Sequence, residues 1–134
     1  IVIYVIVSVF VVIFTIWTLF WGGIDISFHD NDFTVEAQGW SDYTVGYEQI
    51  DSISYKENLF QTGNDRRTNG MGNLKYGMGN FRNDIYGDYI RYTHASCHSY
   101  VVMDIGGKIL VVNGADDSET KKIYDILREK CQMN

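Results

Sequence analysis

From Ile1 to Trp21 the chain carries no charge, and its only polar side chains, apart from aromatic tips, are Ser8, Thr15 and Thr18. About 20 apolar residues suffice to cross a ~30 Å hydrocarbon core. Lipid offers the backbone no hydrogen-bond partners, so a spanning segment has to be helical even when it is rich in β-branched Val and Ile. The pattern predicts a transmembrane helix over residues 1–22, with Trp17, Phe20 and Trp21 at one membrane–water interface and Tyr4 towards the other. A cleaved leader would show a basic n-region and an A-x-A site, and neither is present. The run also lacks a charge and a G-x-x-x-G face, which points to an anchor rather than a pore. Ile1 stands where a Met would start a full chain, so trimming is expected, which leaves open an earlier span upstream of it.

After Gly22-Gly23 the period changes to two. Ile24, Ile26 and Phe28 alternate with Asp25 and Ser27, and beyond His29-Asp30-Asn31 the residues Phe33, Val35 and Ala37 alternate with Thr34, Glu36 and Gln38, which reads as a hairpin. Tyr43, Val45 and Tyr47 share one face of a third strand, and Ile53 and Tyr55 of a fourth within Ile50 to Lys56. Three further strands follow at Asp88 to His94, Tyr100 to Ile105 and Lys108 to Asn113, the last two joined by Gly106-Gly107, a primed-turn signal. Val101, Val102, Met103 and Ile105, with Ile109 to Val112, are apolar at nearly every position, so both of their faces need cover. The C-terminal segment is the expected cover: Asp116 as N-cap and Glu119 three residues on open an amphipathic helix, 117–131, with Ile123, Ile126, Leu127 and Cys131 on one side. The pattern therefore gives a mainly β domain over 23–134 with one C-terminal α-helix.

All charged residues lie in that domain, 17 acidic against 11 basic, for a net charge of −6. Nucleic acid is excluded as a partner because its binding needs a basic footprint, and generic attraction to anionic lipid heads is disfavoured. No Lys or Arg occurs between Trp21 and Lys56, and a flank without positive charge leans outward, so the domain is expected on the extracytoplasmic side of a cell membrane. Cys97 and Cys131 read as two unlinked thiols, with one disulfide as the alternative.

Between the two halves, Leu59 to Gly87 contains Gly63, Gly70, Gly72, Gly77 and Gly79 and an internal echo, Gly70-Met71-Gly72-Asn73 and Gly77-Met78-Gly79-Asn80. Arg66, Arg67 and Arg82 flank it. Exposed backbone N–H groups and guanidinium forks both suit phosphate or carboxylate, so Arg66, Arg67, Gly70, Gly72, Gly77, Gly79 and Arg82 form a candidate anion cradle. The alternative is architectural: the glycines supply bends and bulges, while Met71, Leu74, Tyr76, Met78 and Phe81 fold the segment back onto the sheet. Neither the G-x-x-x-x-G-K-[ST] nor the G-x-G-x-x-G pattern is met, which removes a nucleotide loop.

The stretch Arg67-Thr68-Asn69-Gly70-Met71-Gly72, leading to Tyr76-Gly77-Met78-Gly79-Asn80-Phe81, together with Ile50-Asp51-Ser52-Ile53, resembles a family of bacterial pleckstrin-homology (PH) domains over Phe33 to Lys130. The resemblance implies a partly open barrel of about seven antiparallel strands, bent as two nearly orthogonal sheets and plugged by the C-terminal helix. In eukaryotic members a basic loop between the first strands binds phosphoinositides. Here those loops are His29-Asp30-Asn31-Asp32 and Gly39-Trp40-Ser41-Asp42, so that role does not carry over.

Signals for catalysis are weak. His94 and His98, four apart on an extended chain, would stand ~13 Å from one another, so they share a metal ion only across a turn. Cys97 as a nucleophile needs a base, an orienting group and a pocket that the sequence does not place, and the segment reads instead as a polar turn, Thr93 to Ser99. Trp40, Tyr43 and Tyr47 suggest an aromatic recognition patch, although the inward register of the tyrosines favours core packing. The expectation is a non-enzymatic, membrane-anchored interaction module without cofactor or metal, binding a protein or peptide partner by an exposed sheet edge or by the Gly/Arg segment. The alternative is a sensor of a small anionic ligand at that segment.

Overall fold

The computed structural model describes residues 1–60 and 64–132; Gly63 therefore lies outside the described residues. The apolar run forms a single helix, α1 (Val2–Phe20), with no buried residue, long and apolar enough to cross a membrane. Its serine and threonine hydroxyls are bonded within the helix: Ser8 donates to Tyr4 O, Thr15 to Val11 O and Thr18 to Thr15 O. Trp21 is already extended, so the helix stops just short of the predicted boundary.

The rest is mainly β with a C-terminal helix, as the periodicity predicts. The strands are β1 (Gly23–Phe28), β2 (Asp32–Gln38), β3 (Tyr43–Gly46), β4 (Ser52–Glu57), β5 (Arg66–Gly72), β6 (Tyr76–Asn83), β7 (Gly87–His94), β8 (Ser99–Ile105) and β9 (Lys108–Val112), followed by α2 (Asp117–Lys130). All seven expected strands are present. They form two sheets, β1-β2-β3 and β4-β8-β9-β7-β6-β5, with no closed barrel among the described residues. β7 and β9 pair in parallel, against the all-antiparallel expectation.

The two additional strands, β5 and β6, come from the glycine-rich segment. The echo is a strand facing itself: Gly70 lies opposite Gly79, Met71 opposite Met78 and Gly72 opposite Gly77. Glycines on alternate positions weaken a strand but do not forbid it, and the methionines between them supply the inward face. Met78 is fully buried and Met71 packs beside it.

The main core lies between the sheets: Phe33, Val35 and Val45 meet Met78, Tyr92, Val101, Met103, Leu110 and Val112, with Leu127 of α2 closing one side. Tyr43 and Tyr47 belong to this core, Tyr43 tilted against the Tyr92 ring at 6.4 Å, and Trp40 packs on it. The cover for β8 and β9 is divided. α2 covers only the inner side, whereas Tyr100, Val102 and Val111 on the outer side lie with Phe81 and Tyr89 beneath Leu59, Phe60 and Tyr86 from the β4–β5 and β6–β7 connections.

The expected local signals hold. Gly106 and Gly107 adopt φ of +61° and +91° in the β8–β9 turn, and Asp116 accepts from Glu119 N at 2.8 Å to cap α2.

Candidate functional site

The seven candidate residues lie along the β5–β6 hairpin rather than around one loop. Arg66 pairs across with Arg82 at the open end, and Gly72 with Gly77 beside the turn. Arg82 bonds Asp88 at 2.9 Å. β6 is flanked on both sides, by β5 and β7, so its glycine N–H groups enter strand pairing. Thr68 is the extra residue of a bulge between Arg67 and Asn69, and its hydroxyl donates to Asn80 O at 3.2 Å.

Arg67 behaves differently from the other two arginines. Its guanidinium folds over Gly72, occupying the space a Cβ there would fill. It lines a cleft of about 310 Å³ with Gly72, Asn73, Tyr76, Gly77, Phe81, Arg91 and Thr93. Among the described residues no carboxylate lies within ion-pair distance of Arg67.

The other arginine of the cleft, Arg91, escaped sequence reasoning, which gave only the strand that carries it. It forms a 2.6 Å ion pair with Asp65 in which both side chains are largely buried. The guanidinium lies 3.9 Å from the Phe60 ring centroid and donates through Nε to Thr93 at 2.6 Å. Asp65 also accepts from Asn83 at 3.2 Å and from the Tyr89 hydroxyl. Burial and the hydrogen bond to Asp65 push the Tyr89 phenol far above its ordinary range. This cluster binds the β4–β5 connection to the sheet, and its charge is internally neutralised.

At the turn, the hairpin meets α1. Asn73 donates from Nδ2 to Trp21 O at 2.7 Å and Thr18 O at 3.2 Å, and Leu74 N donates to Leu19 O at 3.0 Å. The Asn73 Oδ1 accepts from Lys75 N and Tyr76 N, both at 2.9 Å, so one side chain shapes the turn and caps the helix together. Met71 closes on Gly22 and Gly39, with the Trp21 ring also against Gly39. α1 is thus seated in the domain instead of hanging from a loose linker.

A second concave region lies along β1, the terminal strand of its sheet. The 2.8 Å bond from His29 N to Asp32 O sets the hydrogen-bonded pairs, which directs the backbone groups of Ile24, Ile26 and Phe28 to the open side. The Ile26 N–H is taken by Asp25 Oδ1 at 3.0 Å. Beside this edge runs a cleft of about 280 Å³ between β1 and α2, lined by Ile24, Ile26, Phe28, His94, Ile123 and Ile126.

The histidines and cysteines do not converge. His94 Nδ1 lies 3.3 Å from Asn113 Oδ1 and its ring meets Tyr76 edge-on, whereas His98 is exposed. Cys97 is buried rather than on an open turn, its Sγ 3.1 Å from Ser99 Oγ and 3.4 Å from Thr120 Oγ1. Cys97 and Cys131 are both free thiols, and burial pushes the Cys131 thiol up. Among the described residues no three His, Cys, Asp or Glu side chains are grouped to hold a metal ion. No family model matches the chain, and no curated protein or solved structure matches it either.

Proposed function

We propose that the chain is a membrane-anchored, PH-like interaction module that binds an extended segment of a protein partner along the open edge of β1. α1 supplies the anchor, and α2 closes a two-sheet domain as the helix of a PH-like fold does. The observation that carries the partner site is the combination of a regular edge strand with a cleft beside it that is lined by Ile24, Ile26, Phe28, Ile123 and Ile126 as well as by Asp25, Glu119 and Lys122, the arrangement by which a peptide adds main-chain bonds and drops alternate side chains into pockets. Edge strands are normally blunted by bulges, charge or shortness. β5 has its bulge and two arginines, β4 ends in Lys56-Glu57 and β3 is four residues long. β1 is six residues long, pairs without a register break and carries one charge, Asp25. Binding is favoured over catalysis because the candidate nucleophile, Cys97, is enclosed and neither histidine reaches it.

Photo-crosslinking side chains placed at Asp25 and at Lys122, on the two walls of the cleft, test this in native membranes. Both positions are expected to give an adduct of the same mass, with none from Lys108 at the start of β9, outside the cleft. Equal labelling from all three, or none from the two cleft positions, would overturn the reading.

A second reading rests on Arg67: a guanidinium held over Gly72 in a cleft, with no carboxylate partner among the described residues, suits a small anion. Inorganic phosphate is then expected to raise the melting temperature of the chain but not of Arg67→Ala. Equal shifts in both would remove the anion site.

A further inference from the structure

We propose that the β5–β6 turn is a second membrane contact, in which Leu74 enters the boundary between headgroups and acyl chains and Lys75 reaches the phosphate level. The proposal rests on the reading of α1 as a membrane span and adds to it a site on the folded domain. A helix of 19 residues rises ~28 Å at 1.5 Å per residue, close to the ~30 Å of the hydrocarbon core. When α1 spans, its last turn therefore sits at the edge of the acyl region. Leu74 is hydrogen-bonded to Leu19 in that turn, and Asn73 holds Thr18 and Trp21. The hairpin tip shares the depth of Trp17, Phe20 and Trp21, the aromatic residues suited to the interface.

The chemistry of the tip fits that depth. Leu74 is 60 % exposed and, beyond residues 1–21, shares such exposure of a large apolar side chain only with Ile85 among the described residues. A leucine at the tip of a hairpin has no partner in the domain, whereas the acyl boundary provides one. Lys75 follows it, its Nζ 5.8 Å from the Tyr76 ring, long enough to place an ammonium among phosphates while its stem lies along apolar surface. A domain of net charge −6 is not drawn to the bilayer by charge, so the contact depends on Leu74 and on the seating of α1 and should form on neutral lipid.

The test is depth quenching of the full chain in phosphatidylcholine nanodiscs carrying lipids nitroxide-labelled high on the acyl chain. An environment-sensitive fluorophore is attached in turn at Leu74→Cys, Trp17→Cys and Ile85→Cys, each in a Cys131→Ser background. Ile85 follows the far end of β6, ~26 Å from the tip for eight residues at ~3.3 Å each. Quenching and a blue-shifted emission are expected at 74 and 17, unchanged by salt, with neither at 85. A water-like, unquenched signal at 74 while 17 is quenched would overturn the contact and leave the anchor standing. An unquenched signal at both would overturn the contact together with the span on which it rests.

Discussion

The side-chain amide of Asn73 donates to the main-chain oxygen of Trp21 at 2.7 Å, closing a bond across 52 positions of sequence that ties the tip of a β-hairpin to the end of the apolar helix. The last carbonyls of a helix lack intrahelical donors and need partners from elsewhere. Asn73 supplies one while its oxygen holds the hairpin turn, so the same side chain contributes both to the seating of α1 and to the shape of the turn.

Replacing Asn73 separates these two tasks. Asn73→Asp keeps the acceptor for Lys75 N and Tyr76 N but loses both donors and sets a negative charge beside carbonyl oxygens. The Leu74 amide, protected by Leu19 O, should exchange at least about tenfold faster, the equivalent of ~1.4 kcal/mol, while the Tyr76 amide stays protected. Asn73→Ala should release both amides. Residue-resolved hydrogen exchange in detergent reads the difference.

Much of this was visible in the hydrophobic pattern, because burial on one face writes itself as period two or period 3.6. The β1–β2 hairpin, the Gly106-Gly107 turn and the Asp116 cap are local signals, legible within a few residues of sequence. What escaped is nonlocal. The glycine-rich hairpin has little alternating bulk, Met71 on one strand and Tyr76 and Met78 on the other, so its pairing shows only once the echo is seen to face itself across the turn. Asn73 and Arg91 look like ordinary polar positions because their partners, Trp21 and Asp65, stand far away in sequence. The Gly/Arg cradle was inferred from composition, and the structure separates its members: Arg67 remains over Gly72, whereas Arg66 and Arg82 sit at the opposite end of the hairpin.

The Asp65–Arg91 pair should be costly to break on one side only. Removing one partner of a buried ion pair leaves an uncompensated charge and typically costs ~3–5 kcal/mol, whereas replacing both by apolar groups is often far milder. Asp65→Ala strands the Arg91 guanidinium against Phe60 and deprives Asn83 and Tyr89 of an acceptor. Asp65→Leu combined with Arg91→Met should lose less stability than Asp65→Ala alone. Urea denaturation of the full chain in detergent is the measurement, and a double variant weaker than the single one would contradict this account.

Two glycines with positive φ should respond unequally to the same substitution. Gly79 has φ +110°, and a Cβ there would stand 2.7 Å from both Asn69 O and Gly70 Cα, with Trp40 3.1 Å away. Gly79→Ala adds backbone strain of ~1–3 kcal/mol to an overlap of similar cost. Gly107 has φ +91° with nothing within 4 Å of the added atom, so Gly107→Ala should show the strain alone. Denaturation midpoints should rank Gly79→Ala below Gly107→Ala, and equal losses would mean that the close approach of β5 and β6 is not tight.

Alkaline pH should unfold the domain through its buried tyrosines. Burial, and then the negative charge of Asp42, push the Tyr92 phenol up to about 12, while its hydroxyl donates to Ser41 O at 2.5 Å. Burial likewise raises Tyr47, Tyr86, Tyr89 and Tyr100. In the unfolded chain each phenol ionises near its ordinary value of about 10, so above that pH the unfolded state loses protons that the folded state keeps. Stability is fully present below about pH 10 and falls as pH rises towards 12. For Tyr92 alone the loss is about 2–3 kcal/mol, at 1.36 kcal/mol per unit of difference. Tyr92→Phe removes this ionisation and leaves Ser41 O without its donor. It should lower stability at neutral pH yet flatten the decline between pH 10 and 12, as read from urea midpoints across that range. A decline of unchanged steepness would assign the alkaline loss to the other tyrosines.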